Sequence, residues 1–136
     1  MATSREITVE LDDRPGALGK LCQALFAWRV NIAGFQVVRC DSKSLVRIVT
    51  DDLQMTRRAL EAERLTYTEG EIVVVRTPHR PGELAPIATQ LGDANININY
   101  AYCGIEPGTN VPLLIFGVAD ADRATATLEQ AAGVGH

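Results

Sequence analysis

The hexapeptide Asp13-Arg14-Pro15-Gly16-Ala17-Leu18 returns 66 residues later as His79-Arg80-Pro81-Gly82-Glu83-Leu84, and the same offset carries Val30-Asn31-Ile32 onto Ile96-Asn97-Ile98. No gap interrupts the register between these anchors. Leu21 and Leu25 fall on Ile87 and Leu91, and upstream Ile7 and Val9 fall on Val73 and Val75. Self-similarity at a fixed period means one supersecondary unit used twice. Modules of roughly 60 to 70 residues still bury a working core, so the 136-residue chain divides into halves 1–69 and 70–136.

Within a copy, the hydrophobic period changes from two to 3.6. Ile7, Val9 and Leu11 alternate as in a half-buried strand, whereas Leu18, Leu21, Cys22, Leu25 and Phe26 trace one apolar helix face. On that face Cys22 is expected to be a small buried hydrophobe. Asn31 to Cys40 reads as a second strand, Asp41-Ser42-Lys43 as a turn and Leu45 to Thr50 as a third strand. Asp51 or Asp52 caps a helix running to about Arg64, Leu65 to Glu69 forms a short fourth strand, and Gly70 marks the seam.

The second copy repeats this order from Glu71, with a longer hairpin loop at 106–110 and a last helix near Ala121 to Ala132. Gly133-Val134-Gly135-His136 is too short and glycine-rich for a fourth strand, which leaves an edge to be completed. The expected fold is α+β: two ferredoxin-like βαββαβ modules, each an antiparallel sheet with both helices on one face. Apolar runs at Ile72–Val75 and Leu113–Phe116 predict burial on both sheet faces, which fits a homodimer.

Composition narrows the function classes. A net charge of -4 without any basic run speaks against nucleic acid as a partner. No apolar run is long enough to span a membrane, and the N-terminal residues lack a secretory pattern, so a cytoplasmic location is expected. The three cysteines are too scattered for a disulfide framework or a metal site, and no cofactor motif is present. The histidines are His79 and His136, and no paired carboxylates, nucleophile elbow or phosphate loop accompanies them, so an enzyme is not expected.

Two βαββαβ copies, each with Arg-Pro-Gly-x-Leu opening the first helix and Asn-Ile opening the second strand, resemble tandem ACT domains, the small-molecule-sensing modules of amino-acid metabolism. The resemblance implies a regulatory binding protein whose ligand, usually an amino acid, sits where two ACT domains meet side by side. In such pairs the loop after the first strand of one domain faces the second strand of its neighbour. Serine-binding members of that family use the residue before Arg-Pro-Gly with an asparagine eighteen residues later. Here those positions are Asp13 with Asn31 and His79 with Asn97, so the asparagines match and the loop residues depart. A histidine that some members place two residues earlier is Leu11 or Thr77 here, which does not favour serine.

The loop chemistry stands apart from the family. Proline presets a helical φ, glycine allows close approach, and the first N–H groups of a helix have no internal partner. A ligand carboxylate is therefore expected at Gly16, Ala17 and Leu18, or at Gly82, Glu83 and Leu84. Its amino group then needs acceptors, which Asp13 and the amide oxygens of Asn31 or Asn97 supply, with Ile32 and Ile98 beside them and His79 in Asp13's place. Pro86 requires the second copy's helix to begin around Glu83.

A purely structural reading competes with this one: Asp13 caps a helix, the glycines make turns, and the asparagines suit a corner. Asn95, Asn97 and Asn99 are expected to alternate along one strand face, as a site lining or a solvated face, with Tyr100 and Tyr102 opposite. The leading expectation is a non-catalytic amino-acid sensor. The alternative is a free-standing regulatory subunit that docks on a partner enzyme through its open sheet edge, with vestigial ligand sites.

Overall fold

In the computed structural model, which describes residues 2–134, ten elements follow in order: β1 (Ala2–Asp12), α1 (Ala17–Ala27), β2 (Ile32–Cys40), β3 (Lys43–Thr50), α2 (Leu53–Ala62), β4 (Thr66–Arg76), α3 (Leu84–Asp93), β5 (Tyr100–Ile105), β6 (Pro112–Gly117) and α4 (Ala121–Val134). They form two compact units. One is Arg5–Gly70; the other combines residues 2–4 with 71–134. β1 and β4 are thus each shared out between the units, at Ser4/Arg5 and Gly70/Glu71.

In the unit Arg5–Gly70, β3 is the central strand, antiparallel to both β1 and β2, with Val9 opposite Val46 and Val37 opposite Val46 from the other side. Ile7, Val9, Leu11, Val46 and Ile48 point the same way and pack with Leu21 and Leu25 of α1 and Ala59 and Leu60 of α2. Both helices therefore cover one face, because only alternate strand residues carry the apolar side chains that a helix stripe can bury. α2 starts where Asp52, in an extended conformation, accepts the Met55 N–H at 3.0 Å. Asp51, its neighbour, instead accepts the Asn31 backbone N–H at 2.9 Å.

The other unit repeats the plan. β6 is central, antiparallel to β4 and β5, and Val73, Val75 and Phe116 pack with Leu91 of α3 and Ala124 and Leu128 of α4. Ile72, Leu113 and Ile115 lie on the opposite face of these strands and are buried too, in keeping with the expectation from the apolar runs.

Several local expectations are corrected. Cys22 is exposed, as is Phe26 at 80%, because the buried stripe of α1 is narrower than the apolar one and centres on Leu21, Ala24 and Leu25. The expected fourth strand and the strand after the seam are one continuous β4; Gly70 lies within it at a φ open to any residue. α3 begins one residue later than α1 does in the repeat register. In α1 the Lys20 N–H donates to the Gly16 carbonyl at 3.1 Å, and Pro86 has no N–H to make the matching bond. Of the last four residues, Gly133 and Val134 belong to α4, and Gly135 and His136 lie outside the described residues.

The asparagine row is not a strand face. β5 begins only at Tyr100, and Asn95 adopts a left-handed φ of 59° just past α3, where the Ile96 N–H reaches back to the Leu91 carbonyl at 2.9 Å. Arg29 does the same past α1 at φ 56°, with the Val30 N–H bonded to the Leu25 carbonyl at 3.0 Å. Both are helix C-terminal turns, and asparagine tolerates that conformation better than most residues.

Candidate functional site

The repeated loop has one geometry in both copies. Gly16 and Gly82 take φ 88° and 86°, a left-handed conformation that turns the chain from strand into helix. A Cβ at either glycine meets nothing within 4 Å, so backbone conformation, and not close packing within the chain, accounts for the residue type. Ala17 and Leu18 open α1, while Glu83 caps α3 with helical backbone angles and Leu84 is its first residue, 53% exposed.

Around that shared turn the side chains diverge. Asp13 does not cap α1, whose first turn has no side-chain cap. Its carboxylate instead receives Arg39 Nε at 2.6 Å and Ser44 Oγ at 3.4 Å. Arg39 and Ser44 sit opposite each other at the end of the β2–β3 hairpin, so strand register brings them to the loop. One residue back, Lys43 Nζ donates to Asp12 Oδ1 at 2.8 Å. This bond, with the attraction of the opposite charge, holds the Asp12 carboxyl below the usual carboxylate value and the Lys43 ammonium above the usual lysine value. In the second copy, the Arg80 guanidinium pairs with Glu83, which places a carboxylate of the chain itself at the start of α3, where the helix dipole favours a negative charge. His79 is exposed in the loop.

The asparagines are placed alike but held differently. Asn31 and Asn97 are both exposed just before the second strand of their copies. Asn31 is fixed by its backbone, which exchanges hydrogen bonds with Asp51. Asn97 is fixed by its side chain, whose Nδ2 donates to Asn99 Oδ1 at 2.9 Å. Ile32 and Ile98 are half-buried against the cores of their units.

Cavities gather only some of these residues. Leu18 and Ile32 line a small apolar pocket of about 130 Å³ under α1, together with Leu21, Cys22 and Phe35. Ala17 borders a larger polar cleft of about 370 Å³. An open groove near the second loop is formed by Arg76, Thr77, Pro78 and Asn110–Pro112, without His79. Sequence reasoning missed Arg39 and Ser44 as partners of Asp13. Nothing local in the sequence signals that pairing, since it arises from the register of three strands.

Among the described residues no group of three His, Cys, Asp or Glu side chains is arranged to hold a metal ion, and no helix is long and apolar enough to cross a membrane.

The fold is α+β, with four helices and six antiparallel strands among the described residues. With a protein from Bacteroides thetaiotaomicron, the chain shares 18% identity over 94% of its own length and 88% of the other, at a TM-score of 0.83. With the regulatory subunit of aspartate kinase from Thermus thermophilus, solved free of ligand, the identity is 16% over 96% and 97% of the two chains, at a TM-score of 0.65. The corresponding subunit from Thermus flavus gives 17% identity over 96% and 95%, at 0.61. No protein-family model and no curated protein matches the sequence.

Proposed function

We propose that the chain is a non-catalytic sensor made of two ACT modules, which binds a free amino acid where one such module meets another and thereby regulates amino-acid metabolism. The observation that carries this reading is the duplicated loop: the same left-handed glycine at the head of the first helix in both copies, with an exposed asparagine at the same distance beyond it. Its fold likeness to the aspartate kinase regulatory subunits supports a regulatory role. The binding residues are Asp13, Gly16, Ala17, Leu18, Asn31 and Ile32 in the first copy. In the second they are His79, Gly82, Glu83, Leu84, Asn97 and Ile98. The protein acts in the cytoplasm as a homodimer.

The two sites are unequal. In the first, the start of α1 has no acidic residue in its first turn, so a ligand carboxylate meets helix N–H groups uncontested. Its ammonium takes over Asp13 from Arg39, an exchange favoured by the 79% exposure of the Arg39 side chain. In the second, Glu83 already occupies the position and His79 supplies no carboxylate. The first copy is therefore the tighter site.

The alternative, a free-standing regulatory subunit docking on a partner enzyme through its sheet edge with vestigial ligand sites, is the less well supported. Residues 2–4 belong to the unit whose last strand was in question, and Thr3 bonds to Thr125 of its last helix at 3.0 Å.

A thermal-shift screen of the free amino acids, followed by calorimetry, tests the proposal. At least one amino acid is expected to bind with a dissociation constant of about 1 µM to 1 mM. Asn31→Ala and Asn97→Ala should each weaken it, to unequal extents. If no amino acid shifts the melting temperature or gives heat, the sensor reading fails.

A further inference from the structure

Away from the loop glycine and Asn31, the unit Arg5–Gly70 carries the cleft of about 370 Å³, a size typical of small-molecule sites. Leu11, Leu21 and Leu65 give it an apolar floor. Its rim holds four cations, Arg14, Lys20, Lys43 and Arg64, in a chain whose net charge is -4. Lys43 is neutralised by Asp12, but Arg14, Lys20 and Arg64 form no side-chain ion pair among the described residues. Three carboxylates, Glu10, Asp12 and Glu63, also line it, so the four cations leave an excess of one positive charge.

The second copy does not repeat this set of cations. In the repeat register Lys20 becomes Pro86, Ala17 becomes Glu83, and Arg14 becomes Arg80, whose guanidinium is paired with Glu83. Arg14, Lys20 and Arg64 are left to meet an anion, and the leucine floor would accept its carbon chain.

We propose that this cleft is a second binding site, adjoining the amino-acid site at Ala17, for a small organic dianion of the dicarboxylate class. Its acidic groups pair with Lys20, Arg64 and Arg14, while its methylene chain lies across Leu11, Leu21 and Leu65. Arg14 lies in the loop that leads into α1 and Lys20 in the first turn of that helix, so occupancy stiffens the approach to it.

Calorimetry on the full chain uses succinate as the dicarboxylate, its neutral isostere succinamide, and inorganic phosphate as an anion without a carbon chain. Succinate is expected to bind with a dissociation constant below about 1 mM and succinamide not to bind. Lys20→Gln and Arg64→Gln should each weaken succinate about tenfold, as loss of one charge-assisted pair implies. Arg58→Gln, an exposed change on α2 outside the cleft, should leave binding unchanged. So should Asn31→Ala, which separates this site from the amino-acid site. The proposal is overturned if succinamide binds as well as succinate, if phosphate binds as tightly, if Arg58→Gln weakens binding as much as Lys20→Gln, or if Asn31→Ala abolishes it.

Discussion

Arg57 of α2 grips Glu69 of β4 through two hydrogen bonds of 2.7 Å, Nε to Oε2 and Nη2 to Oε1. The matching helix of the other unit, α4, is tied to a strand through hydroxyls rather than an ion pair: Thr3 Oγ1 lies 3.0 Å from Thr125 Oγ1 and donates to the Asp122 carboxylate at 3.2 Å, so Thr125 acts as donor to Thr3. Two units of one architecture thus fasten the second helix to a strand with different chemistry. The strands also differ in origin, one being the end of the repeat and the other the first residues of the chain. A repeated core therefore leaves the peripheral contacts free to diverge, and the predictions below probe where equivalence ends.

The largest effects should be equal. Leu25 and Leu91 hold the same place in the two copies and are each 0% exposed. Replacing either by alanine is expected to cost about 3 kcal/mol, from lost burial plus a cavity, measured by urea unfolding. Hydrogen exchange then sharpens the comparison. Protection should fall within Arg5–Gly70 for Leu25→Ala and within 71–134 for Leu91→Ala. Loss over the whole chain in both variants would show that the units do not open separately.

A smaller effect tests a place where the copies have exchanged sizes. In the first copy Gly34 of β2 faces Val49 of β3; in the second, Tyr100 of β5 faces Gly117 of β6. The Tyr100 ring stacks on Tyr102, 6.4 Å between centroids, and occupies the space where a Cβ on Gly117 would sit, 2.2 Å from ring atoms. Gly117→Ala should cost about 2 kcal/mol by overpacking. The double change Tyr100→Gly with Gly117→Val imports the first copy's arrangement and should be milder than Gly117→Val alone. A double variant as unstable as the single one would mean that the swap is not interchangeable.

Core positions were legible because burial leaves a period in the sequence. Ile7, Val9, Leu11, Leu21 and Leu25 were readable as strand and helix faces, and all are buried. The limits of the stripe were not: Cys22 and Phe26 share its spacing but lie on its flank, and spacing alone does not say how wide a face the sheet covers. The glycine turns were readable from their dipeptides, whereas Asp13's engagement with Arg39 depends on the register of β1, β3 and β2. Asn95 misled because asparagine suits both a polar strand face and a left-handed helix end.

At the loops the copies should again agree. Gly16→Ala and Gly82→Ala each force an alanine into a left-handed φ with open space around it, so strain acts alone and should cost about 1 kcal/mol. Unequal losses would show that one loop relaxes its turn more readily than the other, which would bear directly on the inequality proposed for the two ligand sites.

The last and smallest effect separates the two fastenings by pH. The Arg57 hydrogen bond, assisted by its charge, holds the Glu69 carboxyl below its ordinary value of 4.5, while desolvation opposes the shift. A group whose pKa is lowered in the folded state adds stability above its unfolded value, and that stability is lost as pH falls through the lowered one. The 41% exposure of Arg57 makes the contribution modest through solvent screening. Urea midpoints of the parent and Glu69→Gln should therefore differ at pH 7 and converge below about pH 4. Thr3→Val removes hydroxyl contacts instead, and the part of its effect carried by Thr125 has no proton to lose in that range. Its deficit should persist to lower pH than that of Glu69→Gln. If Glu69→Gln keeps its full deficit at pH 3, the ion pair is not what binds β4 to α2, and the contrast between the units disappears.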